Sequence, residues 1–177
     1  MKKFKLGFTV GRFQPLHSGH EQIIDLGLEV CDKFVVLVGS SQKSRTPDNP
    51  FTFEERKEMF ETIYGDKVIV LPIVDIGIGY VPEWGNYLVN TIKLNCGEEP
   101  DLAITGVEEG RSDWLNNYPN ISRFEISRNI IKTSGTDCRS NLLNKGYCEY
   151  LSPCYTEEQI EEFTRIIRGK IKWKLKI

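Results

Sequence analysis

The chain has 177 residues, 40% hydrophobic and 27% charged, with 23 Lys and Arg against 25 Asp and Glu. That is enough apolar material for one buried core with at most a small appendage, and a net charge of −2 excludes a protein that works by coating nucleic acid. No run approaches the ~20 apolar residues of a membrane span. Leu6–Val10 is too short for a signal peptide's apolar region, and five Cys without a C-x-x-C pair fit reduced thiols in a cytoplasm better than disulfides or a zinc ribbon.

Phe4–Val10 is apolar and runs into Gly11-Arg12-Phe13-Gln14-Pro15, which predicts a buried strand ending in a loop. Ser18 followed by Glu21 reads as a capping box, so a helix is expected from there to about Cys31. Phe34–Val38 reads as a second buried strand. Thr52 and Glu55 form another capping box and open a helix to about Tyr64. Val68–Val74 reads as a third strand, followed by a Gly-rich loop and a helix over 86–94; strands are expected at 101–105 and 121–126. Ser134 with Asp137, and Thr156 with Gln159, start two more helices, ending near Asn144 and Arg168. In the tail, Ile171, Trp173, Leu175 and Ile177 alternate with Lys. A protected edge strand is the first reading; a subunit contact and a phosphate-binding patch are the others.

Continuous apolar strands alternating with helices predict a single α/β domain, Rossmann-like and doubly wound, with a parallel sheet of about five strands and helices on both faces. Residues 1–150 are expected to form this domain, and 151–177 a C-terminal helix and basic tail packed on it. Ligands of such sheets sit at the carboxyl ends of the strands, so the loops at 11–20, 39–52, 75–86, 106–120 and 127–139 are the ones to inspect.

Both histidines of the chain, His17 and His20, fall in the first of these loops. At a helix N-terminus, two imidazoles and Arg12 would cradle a phosphate. Gly11 would let it approach the backbone, and Pro15 would stiffen the turn. Two capping or surface histidines, or a zinc site short of ligands, are the competing readings. In Thr133-Ser134-Gly135-Thr136-Asp137-Cys138-Arg139, Ser134 caps a helix and Arg139 could reach back to a triphosphate. Taken alone, this is equally an ordinary capping box with a surface Arg.

Gly11–His20 resembles the first signature of the nucleotidyltransferase superfamily, G-x-F-x-P-x-H-x-G-H. Residues 133–139 are similar to its second, I-S-x-T-x-x-R, with Thr133 for the usual Ile and Cys138 at a usually aliphatic position. Gly39-Ser40 with Asn49-Pro50-Phe51-Thr52-Phe53-Glu54-Glu55-Arg56 resembles the stretch typical of archaeal-type nicotinamide-nucleotide adenylyltransferases and of the matching half of bifunctional bacterial enzymes that carry a Nudix domain. Pantetheine-phosphate adenylyltransferases lack this stretch.

The resemblance covers about residues 4 to 145. It implies adenylyl transfer from ATP to nicotinamide mononucleotide, giving NAD and pyrophosphate. Adenylyl or cytidylyl transfer to another phosphorylated small molecule, and a nucleotide-sensing module without catalysis, are the alternatives. By resemblance His17, His20 and Arg139 are catalytic. ATP would lie on Gly11, Arg12, Phe13, His17, His20, Gly106, Ser134, Thr136 and Arg139. The mononucleotide would lie on Arg12, Ser40, Arg45, Asp75 and Trp84; Asp48, often basic in relatives, leaves Arg45 as its loop's phosphate ligand. Trp84 would stack on the cationic pyridinium ring, or else simply pack. Mg²⁺ would be held by phosphates rather than by protein side chains. Neither nucleic acid nor membrane is an expected partner, the expected location is the cytoplasm, and a homo-oligomer is left open. Arg111 and Trp114 receive no role.

Overall fold

The structure is a computed structural model that describes residues 1–79, 81–106, 112–127 and 133–174, with side chains as far as Gly169. Five parallel strands form one sheet: β1 (Phe4–Gly11), β2 (Cys31–Val38), β3 (Ile69–Pro72), β4 (Leu102–Gly106) and β5 (Ser122–Ile126), in the order β3-β2-β1-β4-β5. The helices are α1 (Ser18–Val30), α2 (Phe53–Tyr64), α3 (Pro82–Cys96), α4 (Gly135–Lys145) and α5 (Glu157–Lys174), with a 3₁₀ turn at Asp113–Asn117. The expected parallel sheet is present, and its order reverses between β1 and β4. A crevice opens at such a switch point, outside the carboxyl ends of the strands.

Alternation along β2 divides the core. Phe34, Val36 and Val38 join one apolar cluster with Ile24, Phe60 and Leu142. Val35 and Leu37 join the other, with Leu88, Ile92 and Trp114. Both faces are therefore covered, which is why the strands read as unbroken apolar runs. Trp114, unassigned from sequence, is a core residue: a Cβ on Gly85 of α3 would lie 2.3 Å from its ring, so α3 packs there only because residue 85 is glycine. Arg111 lies outside the described residues.

Three expectations need correction. The residue capping α1 is His17, not Ser18, and the reciprocal partner is His20, not Glu21: His17 Nδ1 accepts from Gly19 N–H at 3.1 Å and His20 Nδ1 from His17 N–H at 3.2 Å. The strand expected to run to Val74 stops at Pro72, because its partner β2 ends at Val38; the last bond between them runs from Ile73 N–H to Val38 O at 3.0 Å. The tail expected as an edge strand continues α5 through Lys174. Once Thr156 and Gln159 have capped that helix reciprocally, each added residue gains a backbone bond, and Lys and Ile extend it readily. Residues 175–177 lie outside the described residues.

Phe163 and Ile167 of α5 belong to the same core cluster as the sheet. Tyr155 Oη donates to Leu16 O at 3.0 Å, and Ser18 N–H to Tyr150 O at 2.8 Å, so residues 150–155 brace the β1–α1 loop. No helix among the described residues is long and apolar enough to cross a membrane.

Candidate active site

The site begins where β1 gives way to α1. His17 is buried and stacks on half-buried His20, with ring centroids 3.8 Å apart and planes 20° apart. Burial holds His17 down at about 4, helped by the neighbouring Arg139 guanidinium. Burial and His17 push His20 well below the ordinary histidine value. Both rings are thus neutral at pH 7, not the charged pair a phosphate cradle suggests. Because each Nδ1 accepts a backbone N–H, the proton of each neutral ring sits on Nε2, leaving two N–H donors in parallel.

The second motif meets the first directly. Arg139 Nη1 donates to Gln14 O at 2.8 Å, and Nη2 to Thr136 Oγ1 at 3.2 Å. Arg139 is buried, and the carboxylate of the exposed Asp48 lies 3.9 Å from it. A Cβ on Gly135 would stand 3.0 Å from Arg139 Nη1, so glycine leaves the guanidinium its room. Ser134 caps α4 through Asp137 N–H at 3.1 Å. Gln14 ties this arrangement to the next loop: its amide donates to Phe51 O at 3.1 Å and accepts from Phe51 N–H at 3.0 Å.

On the other side of the cleft, Ser40 Oγ donates to Asp75 at 3.0 Å, joined by Gln42 at 3.1 Å and Lys43 at 3.3 Å. What burial Asp75 has would raise its carboxyl, but these donors outweigh it and hold it below its ordinary value. Asp75, Ile76, Gly77, Ile78, Gly79 and Trp84 line a cavity of about 240 Å³. Trp84 is half-buried, with Tyr87 5.8 Å away.

Ser40, Asp75 and Trp84 are therefore on one side, and His17, His20, Ser134, Thr136 and Arg139 on the other. Arg12 is exposed, and its guanidinium makes no hydrogen bond among the described residues. Gly106 ends β4, and no atom of the described residues comes within 4 Å of where a Cβ would stand. Three expected ligands make contacts of their own within the fold. The Phe13 ring is buried, 4.6 Å from the His20 ring and 4.9 Å from Phe60, so it supports His20 from below. The missing Cβ of Gly11 makes room for that ring, whose nearest atom would be 3.0 Å away. Arg45 forms a forked pair with Glu55, at 2.7 and 3.0 Å, and donates to Pro50 O at 3.0 Å. Sequence reasoning did not single out Gln14 or Arg56. Both lie inside quoted motifs, but only their long-range partners reveal what they hold.

The pattern of the family described as cytidylyltransferase-like matches residues 8–172. The nicotinamide-nucleotide adenylyltransferase of Thermococcus kodakarensis is 33% identical over 97% of this chain and 88% of that protein. That of Methanococcus maripaludis is 31% identical over 91% of each. The enzyme of the same name from Saccharolobus solfataricus is 40% identical, over a shorter alignment of 46% of this chain and half of that protein. Among solved structures, a bifunctional NMN adenylyltransferase/ADP ribose pyrophosphatase from Francisella tularensis superposes with a TM-score of 0.78 at 20% identity, covering 98% of this chain and 54% of that one. A second structure of it, complexed with AMP and a manganese ion, gives 0.75 at 21% identity. The chain belongs to the cytidylyltransferase-like family and, within it, to the nicotinamide-nucleotide adenylyltransferases.

Proposed function

We propose that this cleft transfers the adenylyl group of ATP to nicotinamide mononucleotide through the residues just described. The observation that carries the assignment is the 2.8 Å bond from Arg139 to the Gln14 carbonyl, which joins two motifs 125 residues apart into one phosphate-facing end of the sheet. A phosphate oxygen of the mononucleotide attacks the α-phosphorus in line; the new P–O bond gives NAD, and the bond to the β-phosphate breaks to release pyrophosphate. The attacking oxygen is already anionic at pH 7, so no general base is required. Catalysis reduces to positioning and to meeting charge as it moves toward the leaving group.

His17 and His20 offer two Nε2–H donors to the triphosphate. Each becomes easier to protonate once phosphate charge is close, so binding itself can charge them. Arg139, Thr136 and the α4 N-terminus behind Ser134 hold the β- and γ-phosphates. Gly106 and the backbone of Gly11–Phe13 receive the nucleoside. Arg12 stands between the two substrates. Asp75, oriented by Ser40, and Trp84 take the nicotinamide end. Arg45 reaches the mononucleotide phosphate only by exchanging Glu55. A divalent cation, Mg²⁺ in this reading, enters with ATP and offsets charge on the phosphates. Free thiols at all five Cys agree with a cytoplasmic setting.

The test is turnover of ATP and nicotinamide mononucleotide with Mg²⁺, followed as NAD formed and pyrophosphate released in equal amounts. Turnover with a different phosphorylated acceptor instead would move the enzyme to another branch, and binding without turnover would make it a sensor.

A further inference from the structure

Arg56 is fully buried, one of the largest side chains in the molecule to be so. Its guanidinium meets only backbone carbonyls. Nη1 donates to Arg12 O and to Gly39 O, each at 2.8 Å; Nη2 donates to Ser40 O at 3.2 Å; Nε donates to Thr52 O within α2 at 3.2 Å. Among the described residues no carboxylate lies within ion-pair distance of it. Burial and the nearby Arg12 hold it down at about 10, so it still carries its charge at pH 7.

The carbonyls it gathers belong to the two loops that flank the reaction. Arg12 precedes Phe13, whose φ is 52°, and Ser40 has φ 49°. Both are non-glycine residues in the left-handed region, a conformation that persists only where the surroundings enforce it. The first loop goes on to His17 and His20; in the second, Ser40 Oγ orients Asp75 at 3.0 Å. A buried charge with no ion-pair partner in contact is a poor way to stabilise a core, since an apolar side chain of the same volume serves as well or better. A planar fork that fixes three carbonyls from two loops is something an apolar residue cannot supply.

Building on the adenylyl-transfer reading, we propose that Arg56 is a positioning residue. It sets the separation between the triphosphate loop and the mononucleotide loop, and so the in-line approach of the attacking oxygen to the α-phosphorus. It touches neither substrate. Its loss should therefore appear in kcat rather than in the binding of either substrate alone.

The test compares wild type with Arg56→Lys, which keeps the charge and loses the fork. Arg56→Gln, which keeps one amide donor, stands in should the Lys variant prove insoluble. The expected result is a kcat lower by ~10²-fold, the usual cost of misplacing reacting groups by about 1 Å. Dissociation constants for ATP alone and for mononucleotide alone, by titration calorimetry, should move less than ~3-fold. In Arg56→Ala, millimolar guanidinium ion should restore part of the rate. A wild-type kcat in folded Arg56→Lys, a loss expressed wholly as weaker binding, or failure of both variants to fold would each overturn the proposal. A wild-type chain that does not turn over would instead overturn the adenylyl-transfer reading.

Discussion

Around His17 the polar groups are tied down before any substrate arrives. Both imidazole Nδ1 atoms are bonded to backbone, Arg139 is anchored on Gln14 and Thr136, and the loop is braced from residues 150–155. Between Val74 and Val81 the chain does the opposite. It leaves Val74, Ile76, Ile78 and Val81 about 40% exposed and turns through Gly77 and Gly79, both at φ 73°. A triphosphate offers charge and fixed geometry, which preorganised donors meet without reorganising in the reaction. A nicotinamide ring offers a flat cationic face on which Trp84 can stack, and the exposed apolar groups beside it gain by being covered. The first region should therefore set the rate, and the second the affinity for the acceptor.

The sharpest test of that division is His20→Ala. Removing one donor aimed at developing charge should lower kcat by ~10²- to 10³-fold, with ATP still bound in a calorimetric titration. An unchanged kcat with weakened ATP binding would make the histidine loop an affinity device and erase the contrast between the regions.

The same pair leaves a signature in pH. His17 sits at about 4 in the folded chain against an ordinary 6.5. The unfolded chain therefore binds the proton first, and stability falls as pH drops from about 6.5 to about 4. Carboxylates held down by partners, Asp75 and Glu55, begin to lose their contribution only at the low end of that window, near their ordinary values of 3.8 and 4.5. The His17 contribution is on the order of 3 kcal/mol. The gap in melting temperature between wild type and His17→Asn should close as pH falls through this range, because only wild type loses this contribution. ATP binding between those pH values should take up protons, read from calorimetry in buffers of different ionisation enthalpy. Parallel melting curves would show that folding does not lower the His17 titration.

In the acceptor region, Trp84→Ala should weaken mononucleotide binding by ~1–3 kcal/mol, the usual loss for a stacked base, with kcat and ATP affinity nearly unchanged. Equal losses for both substrates would identify Trp84 as a packing residue.

Local signals were legible in the sequence, and distant commitments were not. Thr52 with Glu55 and Thr156 with Gln159 announce their helices because their side chains bond within one turn. The box at α1 was misread because histidine is not an ordinary capping residue, and Ser18 beside it is. The motif residues are visible as a pattern, but what each one touches depends on partners far along the chain. Gln14 bonds a residue 37 positions away and Arg56 one 44 positions away. The part played by the Phe13 ring is invisible until Phe60 and His20 are seen against it. The alternation of the tail is real, yet over so few residues it yields to a helix already under way.

The smallest expected effect concerns Arg45, and it tests whether the acceptor side holds any fixed charge. The sequence makes Arg45 a phosphate ligand; the fold gives both of its forked nitrogens to Glu55, on side chains 36% and 26% exposed. Such a partly solvated pair contributes ~0.2–1 kcal/mol, and a mononucleotide phosphate that took the carboxylate's place would meet Arg45 in the same solvated surroundings, so the exchange would gain it little. Arg12 has no such competitor among the described residues. Arg45→Ala should therefore raise the KM for mononucleotide by less than about fivefold, and Arg12→Ala by considerably more. The Arg45 variant should also melt slightly lower, because Glu55 loses the partner that holds its carboxyl below the ordinary value and keeps only its bond to the Thr52 N–H. Were Arg45→Ala to match or exceed Arg12→Ala in KM, the Glu55 pair would be a resting arrangement broken on binding. The acceptor region would then hold a preformed cation of its own, and the contrast with the histidine side would shrink to the Val74–Val81 segment.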